Sequence, residues 1–131
     1  MIVVDSSYAL AIVMPDEGHP ASVTQLAVGP VLVPPIWPYE IANAFRSAVR
    51  RGRVAEGEVI GMCTHLETLR ITVAQPEDHS LRRSYLAAMA RGLTAYDASY
   101  LELALMRGAT LATLDRAMSE AARAAGVSVI N

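Results

Sequence analysis

The chain opens on a short β-branched run, Ile2-Val3-Val4, then three residues that favour helix caps, Asp5-Ser6-Ser7, then the apolar segment Tyr8 to Met14. This order predicts strand, turn and helix, with Pro15 and Gly18 ending the helix. A second helical stretch is predicted over Ala21 to Ala27, and Gly29-Pro30 separates it from a strand at Val31-Leu32-Val33. From Pro38 to about Arg51, apolar side chains recur at Ile41, Ala44, Phe45, Ala48 and Val49. That is the stripe of an amphipathic helix with proline in its first turn, and Gly52 ends it. Ala55 to Leu69 reads as another helix and Ile71-Thr72-Val73 as a third strand. Helices follow over His79 to Arg91 and Tyr96 to Arg107, closed by Gly92 and Gly108. Ala109 to Thr113 is predicted as a strand, Arg116 to Ala125 as a helix ending at Gly126, and Val127 to Ile130 as a final strand.

Strands separated by helices imply crossover connections and a parallel sheet covered on both faces. The expected fold is therefore α/β, a three-layer α/β/α domain around a central, mostly parallel sheet of four to five short strands. With 131 residues the chain has room for one core, so a single domain over 1–131 is expected. In folds of this kind ligands bind at the C-terminal edge of the strands.

Composition narrows the chemistry. Hydrophobic residues make up 53% and charged residues 18% of the chain, below the roughly 25% charged that is usual, which argues against disorder and for buried partner surface. The longest apolar run, Tyr8 to Met14, falls far short of the roughly 20 residues of a membrane span, and the N-terminus lacks a basic leader, so a cytoplasmic protein is expected. Cys63 is the only cysteine, which excludes an internal disulfide, and His19, His65 and His79 have no zinc-ligand spacing. All eleven basic residues are arginine; without lysine, P-loop nucleotide hydrolysis and Schiff-base chemistry are removed. No Gly-x-Gly-x-x-Gly follows any strand, which sets dinucleotide binding aside. The net charge of −2 gives no general pull on nucleic acid, so any such binding rests on local arginines or on metal ions.

Four acids fall on the C-terminal strand edge. Asp5 follows the first strand, and Glu40 begins the helix after the second. The helix from Tyr96 to Arg107 runs about 18 Å at 1.5 Å per residue. The strand after it returns about 17 Å, so Asp97 and Asp115 meet at the same edge. Clustered carboxylates raise one another's pKa unless a cation sits among them, and hard oxygen donors suit magnesium or manganese. A structural use competes with this one: Asp5 and Asp115 stand where N-caps belong, and Thr94-Ala95-Tyr96-Asp97 has the form of a capping box.

Val3-Val4-Asp5-Ser6-Ser7, Tyr39-Glu40-Ile41-Ala42-Asn43-Ala44, Tyr96-Asp97-Ala98-Ser99-Tyr100-Leu101 and Leu111-Ala112-Thr113-Leu114-Asp115 resemble, in order and spacing, the motifs of PIN-domain ribonucleases, VapC-type toxins above all. The resemblance covers essentially the whole chain. It implies that Asp5, Glu40, Asp97 and Asp115 are a catalytic quartet binding Mg²⁺ or Mn²⁺, with Ser6, Asn43 and Thr113 orienting carboxylates or water. It implies metal-dependent endoribonuclease activity, a VapB-like antitoxin and a homodimer. Arg46, Arg50 and Arg51 are candidates to hold RNA phosphates or to face the antitoxin. The competing function is a non-catalytic PIN-like module that binds RNA or protein. A phosphoryl-receiver or a haloacid-dehalogenase-like enzyme would also place aspartate after the first strand, but both need a lysine, and Asp5-Ser6-Ser7 lacks the dehalogenase's second aspartate.

Overall fold

The computed structural model describes residues 1–75 and 81–131. Five strands, β1 (Ile2–Val4), β2 (Val31–Val33), β3 (Ile71–Val73), β4 (Thr110–Ala112) and β5 (Val129–Ile130), form one sheet in the order β3-β2-β1-β4-β5. Every pairing is parallel, with Val3 beside both Leu32 and Leu111. Around the sheet lie α1 (Ser6–Val13), α2 (Trp37–Arg50), α3 (Val59–Thr68), α4 (Leu81–Arg91), α5 (Ala95–Arg107) and α6 (Arg116–Ala124).

Alternation along each short strand divides the interior. Val4, Val31, Val33 and Ala112 join Tyr8 and Ile12 of α1, Ile41 and Phe45 of α2 and Met62 and Leu66 of α3 on one face. Val3, Leu32 and Leu111 point the other way, against Tyr100, Leu101 and Ala104 of α5 and Met118 and Ala122 of α6. The expected three layers are present, and α4 packs on α5 as an outer helix with no buried side chain of its own. Because both faces of the sheet are covered, its strands are apolar on consecutive positions, as in the Val-Leu-Val of β2.

Two of the predicted helices take a different form. Ala21–Ala27 is a 3₁₀ helix, with i→i+3 bonds from Val23 N–H to the Pro20 carbonyl and from Val28 N–H to the Gln25 carbonyl. Only Leu26 is buried there and no side chain caps the start, so the segment lacks the apolar stripe that sustains an α-helix. The helix expected over Ala55 to Leu69 begins as a 3₁₀ turn at Glu56–Glu58, where Gly57 disfavours helix, and becomes α-helical from Val59. The predicted start at His79 lies outside the described residues. Gly108 closes α5 with φ of 59°, which lets the Ala109 N–H turn back to the Ala104 carbonyl at 2.9 Å and sends the chain into β4.

Leu111 is fully buried on the central pair of strands, so Leu111→Ala should cost about 2–5 kcal/mol from lost burial and the cavity left behind. Urea denaturation of the purified protein measures it.

Candidate active site

The strand order changes direction between β1 and β4. The chain moves outward from β1 to β2 and β3, then returns to the opposite side of β1 for β4 and β5. Consequently α1, which leaves β1, packs on one face of the sheet, while α6, which leaves β4, packs on the other. The two helix starts diverge and leave a crevice at the C-terminal ends of β1 and β4, the place where open parallel sheets bind ligands. Asp5 caps α1 and Asp115 caps α6, so both stand on that crevice.

Asp5 is 2% exposed. Its Oδ1 accepts the Ser7 hydroxyl at 2.7 Å and the Tyr8 N–H at 2.9 Å, and its Oδ2 accepts the Thr113 hydroxyl. Both hydroxyls are themselves aimed. The Leu114 N–H donates to Ser7 Oγ at 3.0 Å and the Asp115 N–H donates to Thr113 Oγ1 at 3.0 Å, so each hydroxyl proton is left to point at the carboxylate. Burial pushes the Asp5 carboxyl above its ordinary value and the Asp115 charge pushes the same way, while the bonds from Thr113, Tyr8 and Ser7 pull it back.

Asp115 accepts the Met118 N–H on Oδ1 at 2.7 Å. Asp97 sits in the first turn of α5, half-buried, where Thr94 caps the helix by accepting the Asp97 N–H at 3.1 Å. Partial burial and then the Asp115 charge raise the Asp97 carboxyl, and the Thr94 hydroxyl lowers it. The capping use and the cluster use of these acids are therefore both present. Asp115 is the electrostatic link, because its charge is felt at Asp5 and at Asp97. Glu40, in the first turn of α2, accepts the hydroxyl of Tyr100 from α5. Burial raises the Tyr100 phenol well above its ordinary value, and the Glu40 and Asp5 charges add to that.

Sequence reasoning named Ser6 and Thr113 as helpers of the carboxylates. Thr113 does bond Asp5, but on the α1 side that work belongs to Ser7 and not to Ser6. Tyr100 and Ser7 were the residues missed. Tyr100 lies three positions after Asp97, which puts both on one face of α5, and that spacing was the available signal. Asn43 is exposed one turn beyond Glu40. Arg46, Arg50 and Arg51 are exposed farther along α2, Arg50 about 15 Å of helix from Glu40, so they do not join the acids. Among the described residues no three His, Cys, Asp or Glu side chains already stand close enough to enclose a metal ion.

Residues 2–124 match the PIN domain family. The chain is a PIN domain protein. Ribonuclease VapC3 of Pyrobaculum aerophilum is 31% identical over 121 residues, spanning 91% of this chain and 92% of the relative. The crystal structure of PAE2754, also from Pyrobaculum aerophilum, superposes with a TM-score of 0.75 at 25% identity, covering 98% of this chain and 82% of that one. FitAcB from Neisseria gonorrhoeae shares the fold, with a TM-score of 0.51 at 21% identity over 100% of this chain and 97% of that one. The PIN domain and its VapC-type likeness, expected from the four motifs, thus hold for this chain.

Two outcomes follow from the site's hydrogen bonds and charges. Thr113→Val, which keeps the shape of a fully buried side chain and removes its hydroxyl, should destabilise by about 1–3 kcal/mol in urea denaturation, because Asp5 and the Asp115 N–H both lose a partner. Asp97 has a folded pKa above its ordinary value of 3.8, so its contribution favours the fold at pH below that value and is lost as pH rises through the raised one. Asp97→Asn should therefore melt higher than the natural protein at pH 7 in EDTA, and the gap should close as the pH falls below about 3.8 in thermal scans.

Proposed function

We propose that this PIN domain is a metal-dependent endoribonuclease, the toxin of a toxin–antitoxin pair, acting as one nuclease domain over the whole chain. The observation that carries the proposal is the repulsion gathered at the crevice. The Asp115 charge acts on both Asp5 and Asp97, so a cation placed among these carboxylates would relieve their repulsion. The name of the relative ribonuclease VapC3, matched over nearly the whole chain, supports the same reading.

The residues fit a hard divalent cation, Mg²⁺ or Mn²⁺. Every donor is a carboxylate oxygen, and magnesium in particular keeps several waters and needs only one or two carboxylates, so a crevice without a closed three-ligand cage suits it. Asp5, Asp97 and Asp115 would hold the ion, directly or through water, with Glu40 beside them. Bound there, the ion supplies Lewis acidity for phosphodiester hydrolysis, making water nucleophilic and offsetting charge on the phosphate.

The chain's own residues prepare that chemistry. Ser7, Thr113 and the Tyr8 N–H hold Asp5 in one orientation and favour its ionised form. Glu40 has Oε1 occupied by Tyr100, which leaves Oε2 to accept a proton from a water placed against the phosphate. Arg46, Arg50 and Arg51 form an exposed basic track along α2 suited to RNA phosphates beyond the cleavage point. The same reading gives a VapB-like antitoxin and a second copy of the chain as partners. Leu81, Tyr85 and Met89 of α4, with Leu86 beside them, are exposed apolar surface of the kind such partners cover. A cytoplasmic location also belongs to this reading; among the described residues no helix is long and apolar enough to cross a membrane.

Purified protein, free of antitoxin, should cut cellular RNA with Mg²⁺ or Mn²⁺. Cutting should stop with EDTA and fall by at least about 100-fold in Asp97→Asn, the scale of losing a catalytic electrostatic group. No cutting by the folded protein with either metal would overturn the proposal in favour of a binding module.

A further inference from the structure

Tyr100 is a buried tyrosine with a task its burial alone does not explain. Its ring sits at 0% exposure in the cluster that also holds Val3, Leu32 and Leu111, so its position is set by packing on the α5 face of the sheet. Only its hydroxyl reaches the crevice. There it donates to Oε1 of Glu40, a residue 60 positions earlier. An ionised carboxylate can only accept, so the single phenol proton goes to Glu40.

The bond joins two elements that approach the crevice separately, α2 through Glu40 and α5 through Tyr100, which stands on the same helix face as Asp97. Glu40 needs such an anchor. It lies on the half-exposed first turn of α2 and its side chain has three rotatable torsions. A phenol held in the core supplies a fixed donor, which selects one Glu40 rotamer and presents Oε2 to the crevice.

We propose that Tyr100 is a positioning residue for Glu40, so that the α5 helix supplies both an acid and the anchor of a second acid. This rests on the nuclease reading above.

Tyr100→Phe removes one oxygen and keeps the ring. It should retain the natural protein's circular dichroism and melt, lower the RNA-cleavage kcat roughly 10- to 100-fold with KM for RNA little changed, and weaken Mn²⁺ binding to the RNA-free protein, read by electron paramagnetic resonance. In a Glu40→Gln background, Tyr100→Phe should add little further loss of Mn²⁺ affinity, because the anchored group is already gone. An additive loss there would show that Tyr100 acts through the general packing of the site and would overturn the proposal. So would natural kcat and Mn²⁺ affinity in folded Tyr100→Phe while Glu40→Gln is impaired. If Glu40→Gln itself keeps full cleavage and Mn²⁺ binding, the failure lies in the assignment of the acidic site. Should Tyr100→Phe not fold, Glu40→Asp decides: it keeps the carboxylate but draws it back from the phenol, so a loss in the same two readouts is expected and no change in either overturns the proposal.

Discussion

A carboxylate buried at the end of a central strand can stay there only if its oxygens are hydrogen bonded, and Asp5 meets that condition with donors from two elements. Ser7 and the Tyr8 N–H come from the start of α1, and Thr113 from the residue after β4. Each hydroxyl is fed by a backbone N–H of the loop leading to α6, so the Asp5 site also fixes the path of that loop. Removing any part of this bridge would leave donors without acceptors at the tightest point of the sheet.

The same bridge creates the tension that defines the site. Holding β1 and β4 side by side brings Asp115 near enough to raise Asp5, and α5 brings Asp97 within reach of the same charge. Capping satisfies one oxygen of Asp115 and part of Asp5. It does nothing to neutralise the charges. Helix caps and a charge cluster are thus one set of residues serving two purposes, and the second costs stability that a bound cation would return.

Glu40 and Tyr100 show how the outer parts of the crevice are recruited. Neither belongs to the β1–β4 pair; they arrive from α2 on one face of the sheet and from α5 on the other, and their bond crosses the end of the sheet between them. Arg53 has a contrasting role, pairing with Asp16 and Glu17 at the surface.

The element order, the parallel sheet, the two-faced core and the arrival of four acids at one strand edge were legible from local periodicity, caps and strand ends, since these depend on neighbours within a few positions. The helical stretch expected at Ala21 to Ala27 is a 3₁₀ helix that puts Leu26 in the core with Val23 beside it, and only the fold reveals how little else it buries. Strand order, and with it the crevice between β1 and β4, depends on which distant strands pair. That Ser7 and not Ser6 holds Asp5 depends on where the Leu114 N–H stands in space. Sequence alone determined which chemical groups reach the strand edge; the tertiary structure decided which of them touch, because hydrogen bonds between residues 60 or 108 positions apart are set by packing and leave no periodic trace in the chain.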